Sequence, residues 1–152
     1  LEHPERVSRL INITSSPCFV ADATWPGIQA AHLNAFYKNL EHAPRATCDA
    51  FIALQLPQNI PKPHIQNLPT GLKAGLDILK HWDFRDKLHH IKPPISYLFG
   101  RLDAIVPAKT MAIMQTTYPS FSYHLFRKAA HAPFLSHPDE FLSVLTQDLE
   151  LT

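Results

Sequence analysis

The feature that most constrains this chain is the order of apolar segments in residues 91–152, where runs too short to be helices alternate with runs at helical spacing. Tyr97, Leu98 and Phe99 follow Pro93-Pro94 and end at Gly100, and Phe121 to Phe126 lies between Pro119 and the pair Arg127-Lys128. Both have the length and composition of buried strands. Between them Pro107 can open a helix that carries Met111, Ile113, Met114 and Tyr118 and stops at Pro119. After them Pro138 opens a second, with Phe141, Leu142, Leu145 and Leu149 expected on one face and Asp139 and Glu140 at its positive end. Strand, helix, strand, helix in that order implies parallel strands joined by right-handed crossovers. Val7, Leu10, Ile11 and Ile13, ending at Thr14-Ser15-Ser16-Pro17, supply a third strand.

The stretch from Pro26 to His81 reads differently. Leu33, Phe36, Tyr37 and Leu40, then Phe51, Ile52, Leu54 and Leu56, then Leu68, Leu72, Leu76 and Leu79 recur at helical spacing, and Pro57, Pro61, Pro63 and Pro69 cut the stretch into short pieces. Three or four helices inserted between the first and second strands are expected, forming a cap over one end of the sheet. The fold class is therefore α/β: about three parallel strands with flanking helices, plus an inserted helical cap. Residues 1–16 give a core strand, 17–90 the cap and the return to the core, and 91–152 the rest of the core. Such a sheet leaves one apolar edge unpaired, as the second half of a larger fold would.

Charge and cysteine usage narrow the function classes. Fourteen Lys and Arg against thirteen Asp and Glu leave a net charge of +1, without the basic stripe of a nucleic-acid binder. No apolar run approaches the roughly 18 residues that cross a bilayer, so no membrane partner is expected. Cys18 and Cys48 form neither a CxxC nor a disulfide framework, which suits a reducing, cytoplasmic setting. Ten histidines raise zinc, yet His89 and His90 are adjacent and no HExxH or Cys/His set has ligand spacing. No metal site is expected. Cys18 reads as a small buried hydrophobe, Ser15 and Ser16 as loop formers, and Lys62, Lys73 and Lys80 as a solvated face.

Two loops follow strand ends and carry the groups capable of chemistry. Asp103 lies in Gly100 to Pro107, and His131 in Lys128 to Phe134. In parallel α/β sheets, sites gather at the carboxyl ends of strands, and the interval between these residues holds one helix and one strand. Both then return to one edge of the sheet, where a carboxylate can hold the Nδ1 proton of the imidazole and leave Nε2 as a general base. Read singly, Asp103 could cap the helix at Pro107 and His131 could be a core histidine. A nucleophile is lacking: none of Gly27, Gly71, Gly75 and Gly100 flanks a serine as a GxSxG elbow requires.

The GxxDxxVP run from Gly100 to Pro107 and the run Ala130-His131-Ala132-Pro133-Phe134 resemble the acid and histidine segments of the α/β-hydrolase superfamily. His3-Pro4-Glu5-Arg6-Val7 resembles the segment leading from the helix after the nucleophile into the next strand. Within the superfamily the chain is most similar to the pimeloyl-[acyl-carrier protein] methyl ester esterases of biotin synthesis. The similarity lies in Ser15-Ser16-Pro17-Cys18-Phe19, Trp25-Pro26-Gly27-Ile28, Phe51-Ile52-Ala53-Leu54-Gln55, Gly75-Leu76-Asp77-Ile78-Leu79-Lys80, and Lys128 to Phe134 with Ser136-His137-Pro138.

That resemblance implies the C-terminal part of an α/β-hydrolase fold and a serine carboxylic-ester hydrolase. Asp103 would be the triad acid and His131 the triad base, with the serine in a hydrolase segment upstream of Leu1, so the 152 residues alone are expected to be inactive. Phe51, Ile52, Ala53, Leu54 and Gln55 would line the substrate channel together with His131. The partner would be an acyl-carrier protein bearing a pimeloyl methyl ester, and no cofactor is implied. Two departures stand out. Where the family presents basic residues to its carrier, this chain has Ala46 and Ala50 beside a single Arg45, and residues 17–90 carry seven Lys and Arg against six acids. The cap is also short between Gln55 and Leu68. Other short-chain esters, carbon–carbon bonds and a non-catalytic interaction module are the competing readings.

Overall fold

The structure is a computed structural model that describes residues 3–56, 60–61 and 70–150. A 3-10 turn over Pro4–Arg6 leads into β1 (Leu10–Ile13), followed by α1 (Ala30–His42), α2 (Pro44–Gln55), α3 (Leu72–His81) and α4 (Arg85–Leu88). Then come β2 (Ile95–Gly100), α5 (Lys109–Thr117), β3 (Ser122–Phe126), α6 (Pro133–Ser136) and α7 (Pro138–Glu150). The strands form a parallel sheet in the order β1-β2-β3, with Leu10 opposite Ile95 and Ser96 opposite Ser122. The three expected strands and the helices between them are present. Leu68, Lys62, Pro57, Pro63 and Pro69 lie outside the described residues.

The period of two along β2 divides the core. Ile95, Tyr97 and Phe99 face a cluster that includes Met114 and Tyr118 from the α5 side and Cys18 and Trp25 from the segment after β1. Leu98 faces the other way, with Phe126, Ala129 and Phe141, and with Ile11, Ile13, Val144 and Leu145 packed around them. β2 is buried along its whole length, whereas every residue of β1 is half-buried. That difference reflects the pairing: β2 has a neighbour on each side, and β1 has one among the described residues.

Two helix assignments need correction. On α7, Phe141, Val144 and Leu145 turn toward the sheet, while Leu142 is 58% and Leu149 52% exposed. At 3.6 residues per turn, positions 141, 144, 145 and 148 share a face that 142 and 149 leave. Asp148 completes the inward face: its Oδ1 accepts the Ser96 hydroxyl at 2.7 Å, and its Oδ2 lies 3.5 Å from the Arg9 guanidinium. The helix expected to open at Pro107 starts instead at Lys109, after a turn closed by Thr110 N–H to Pro107 O at 2.8 Å.

The inserted helices pack mainly on one another. Phe36 of α1 meets Phe51 of α2 edge to face at 5.4 Å. Along α1 and α3, Tyr37 donates to Asp77 at 2.6 Å and Lys73 donates to Glu41 at 2.9 Å, and Lys80 sits over the Tyr37 ring. Lys73 and Lys80 are thus contacts between helices as well as solvated charges. Burial and the Asp77 carboxylate push the Tyr37 phenol up to about 12. α3 starts from Gly71 at φ +87°, a backbone that a side chain would strain.

Both connections of the insertion pass through one polar neck. Cys18 pairs with Asp83 in an isolated antiparallel bridge, and Phe84 N–H donates to Pro17 O at 2.9 Å. The Arg85 guanidinium reaches Asp22 at 2.7 Å and Asp83 at 2.6 Å, and lies over the Trp25 ring. Trp25 Nε1 in turn donates to Cys18 O at 3.0 Å. Among the described residues no helix is long and apolar enough to cross a membrane.

Candidate active site

Asp103 and His131 stand on the loops after β2 and β3 and meet at the carboxyl edge of the sheet. His131 Nδ1 is 2.9 Å from Asp103 Oδ2, and the side chains are 22% and 1% exposed. Asp103 Oδ1 is occupied separately, accepting the backbone N–H groups of Ile105 at 2.7 Å and Val106 at 3.0 Å. Asp103 therefore does not cap α5, which starts at Lys109 without a side-chain cap; one carboxylate oxygen holds its own loop and the other pairs with His131. Fixed by three donors, the buried carboxylate orients the imidazole and favours the tautomer with its proton on Nδ1. Nε2 then lies on the far side of the ring, with no hydrogen bond among the described residues.

The loop that carries His131 is held from below by close backbone approach. A Cβ on Gly100 would fall 2.1 Å from Ala130 O and 2.9 Å from Ala129 O, so only glycine lets the histidine loop lie across the end of β2. Leu102 N–H donates to Ala129 O at 2.9 Å and Arg101 N–H to Phe126 O at 3.0 Å, while the Arg101 guanidinium reaches Arg127 O at 2.8 Å. From the β1 side, the Thr14 hydroxyl donates to His131 O at 2.8 Å.

His131 borders a cavity of about 200 Å³ shared with Thr14, Ser15, Ser16, Phe19, Phe51, Leu79, Ile105 and Val106. Ser16 is committed within its own loop: its hydroxyl donates to Cys18 O at 2.7 Å and accepts Trp25 Nε1 at 3.2 Å. A larger cavity, about 560 Å³, lies among α1, α2 and α3 and is bordered by apolar side chains including Phe36, Leu40, Phe51, Ile52 and Leu76. Phe51 and Leu79 border both spaces. A molecule held against His131 thus has apolar volume next to it on the cap side.

Of the five contiguous cap residues expected to line a substrate channel, Phe51, Ile52 and Gln55 border the larger cavity, together with Cys48. Ala53 and Leu54 border neither cavity, and Leu54 is 55% exposed. Residues 48, 51, 52 and 55 form one helical face, so the contiguous block was one helical turn of mixed orientation. Sequence reasoning missed Thr14, Leu79 and the pair Ile105 and Val106. Ile105 and Val106 had a signal in the GxxDxxVP run, whereas Thr14 read only as a loop residue.

Cys18 is buried among Trp25 and its neighbours, and its thiol is pushed above its ordinary value, chiefly by that burial and then by the Asp83 charge. This suits an inert packing residue. Among the described residues no three His, Cys, Asp or Glu side chains gather where they could hold a metal ion.

No family model matches the chain. It is 50% identical over 149 residues to the pimeloyl-[acyl-carrier protein] methyl ester esterase of Legionella pneumophila (strain Corby), a match that takes in 97% of this chain and 62% of that protein. The Citrobacter koseri protein of the same name is 38% identical over 157 residues, covering 95% of this chain and 61% of its own length. The chain thus spans about three-fifths of the curated relatives it matches. An esterase from Exiguobacterium antarcticum superposes with a TM-score of 0.84 at 19% identity, over 95% of this chain and 57% of that one. A hydrolase from Oleispira antarctica superposes with a TM-score of 0.83 at 14% identity, over 99% and 60%. At those identities the likeness establishes the fold alone, and this chain spans part of it.

Proposed function

We propose that this chain belongs with the pimeloyl-[acyl-carrier protein] methyl ester esterases, a reading supported by its 50% and 38% identity to two of them, and that it supplies the acid and the base of a serine esterase. The observation that carries this reading is the Asp103–His131 pair at the strand ends, bordering a cavity that adjoins apolar volume in the cap. His131 is the general base, and Asp103 fixes its tautomer and stabilises the imidazolium. The nucleophile is a serine hydroxyl from polypeptide outside these 152 residues, because no glycine-flanked elbow occurs within them.

In the acylation step, His131 Nε2 takes the serine proton as the oxygen attacks the ester carbonyl, then gives it to departing methanol. In deacylation, His131 activates water, and the free acid leaves with the serine restored. Phe51, Ile52 and Gln55 hold the acyl chain, so residues 17–90 act as a substrate-binding cap on a core made by 1–16 and 91–152. The substrate is a pimeloyl methyl ester carried on an acyl-carrier protein, as the relatives' name says of them. Cys18 and Cys48, both free thiols, favour a cytoplasmic setting.

The test uses the complete protein that contains this chain. His131→Ala is expected to abolish hydrolysis of pimeloyl methyl ester while thermal unfolding is unchanged. Turnover surviving in His131→Ala would remove His131 from the mechanism. Hydrolysis of short acyl esters alone would leave the acid and base in place and overturn the pimeloyl assignment.

A further inference from the structure

Thr14 ends β1 in a conformation that its side chain resists. Its φ is +44°, in the left-handed region that β-branched residues avoid, and it is the only non-glycine residue with positive φ among those described. It is buried, its N–H donates to Leu98 O at 2.8 Å, and its hydroxyl donates to the carbonyl oxygen of His131 at 2.8 Å. It also borders the cavity that His131 borders. Strain of this kind persists where the surroundings hold it, and here they do so beside the imidazole.

The other anchors of the histidine loop come from the end of β2, through Arg101 and Leu102, and hold the carbonyls of Phe126, Arg127 and Ala129. Each of those acceptors precedes the histidine in the chain. The His131 carbonyl is held from the opposite side, across the sheet edge, by Thr14. Without that bond the His131 backbone would be held only through its neighbours, Ala129 before it and Ala132 after it, whose carbonyl accepts the Leu135 and Ser136 N–H groups, while its side chain stays on Asp103.

We propose that Thr14 is a positioning residue for His131: its hydroxyl pins the histidine's backbone so that Nδ1 stays on Asp103 and Nε2 stays at the cavity while the ring gains and loses a proton. The proposal rests on His131 being the base. Thr14 also immediately precedes the Ser15-Ser16 loop that leads into the helical insertion. The bond therefore joins the root of the cap to the histidine loop across 117 residues of sequence.

The test compares three variants of the complete protein. Thr14→Val keeps the branched shape and deletes the hydroxyl, Thr14→Gly deletes it and also relieves the backbone, and Thr14→Ser keeps it. The first two are expected to lower kcat by about tenfold to a hundredfold with KM nearly unchanged, since a small misplacement of a reacting group has that effect. In both, the proton resonance of His131 Nδ1–H is expected to shift and broaden. Thr14→Ser is expected to keep the wild-type kcat and resonance.

If Thr14→Val fails to fold, Thr14→Gly decides. Wild-type kcat with an unshifted resonance in a folded variant lacking the hydroxyl overturns the proposal, as does a Thr14→Ser variant impaired like the valine. The resonance reports loop geometry whether or not His131 is the base, so turnover surviving in His131→Ala is a separate failure with a separate signature.

Discussion

Gly100→Ala isolates the contact that places the histidine loop over the end of β2. The new Cβ would lie 2.1 Å from Ala130 O, where ordinary contact begins at 3.4 Å, so the backbone must open by roughly 1.3 Å. Two further backbone atoms, Ala129 O and the Ala130 carbonyl carbon, are at 2.9 Å, so no rotamer change can relieve the clash. Overpacking of this kind costs about 1–3 kcal/mol. For a chain of this size each kcal/mol lowers Tm by about 2–4 °C, giving a drop of roughly 2–12 °C. The displaced loop carries His131 one residue beyond the clash, and a misplacement of ~1 Å lowers kcat by about a hundredfold. Thermal unfolding and steady-state hydrolysis by the complete protein measure both effects. A Gly100→Ala protein with wild-type Tm and kcat would refute the reasoning, because it would mean that the loop does not rest on β2 as described.

Other consequences are separable. Phe126→Ala removes a fully buried ring between β2 and α7 and is expected to cost about 3–5 kcal/mol in denaturant unfolding. Phe51→Ala opens the wall shared by the two cavities, and is expected to raise KM for a long acyl ester more than for an acetyl ester in paired kinetic assays. Asp22 is held at about 2 by the Thr24 backbone N–H, the Arg85 guanidinium and the Thr24 hydroxyl. Its folded pKa lies below its ordinary value of 3.8, so its contribution is present above that value and lost as pH falls through about 2. Asp22→Asn is therefore expected to lower Tm at pH 7 and to match the wild type near pH 2. A difference that persists at pH 2 would mean the carboxylate charge is not what ties the neck.

Local patterning carried the strands and their parallel pairing, because Tyr97-Leu98-Phe99 and Phe121 to Phe126 are apolar runs too short for helices, each preceded by proline and separated by a helical pattern. The Asp103–His131 contact was legible for the same reason: one helix and one strand between two strand-end loops leave the chain little choice about where they return. What the sequence concealed depends on partners far along the chain. Nothing near Thr14 marks it for a left-handed conformation, since the acceptor that makes the conformation worthwhile belongs to His131. Arg85 gives no local hint that it will bind Asp22 across the neck of the insertion. Helix faces were misjudged where apolar residues outnumber the buried positions, as at Leu142 and Leu54, because periodicity ranks the faces of a helix without saying how much of each the core can cover.

The most direct test of the central claim is Asp103→Asn in the complete protein. The amide oxygen can keep the bonds from Ile105 and Val106, while the amide nitrogen donates to His131 Nδ1 and forces the ring proton onto Nε2. With the imidazole in the wrong tautomer, kcat for ester hydrolysis is expected to fall by about 10⁴ while the unfolding transition stays close to wild type. A folded Asp103→Asn protein that hydrolyses the ester at the wild-type rate would contradict the account.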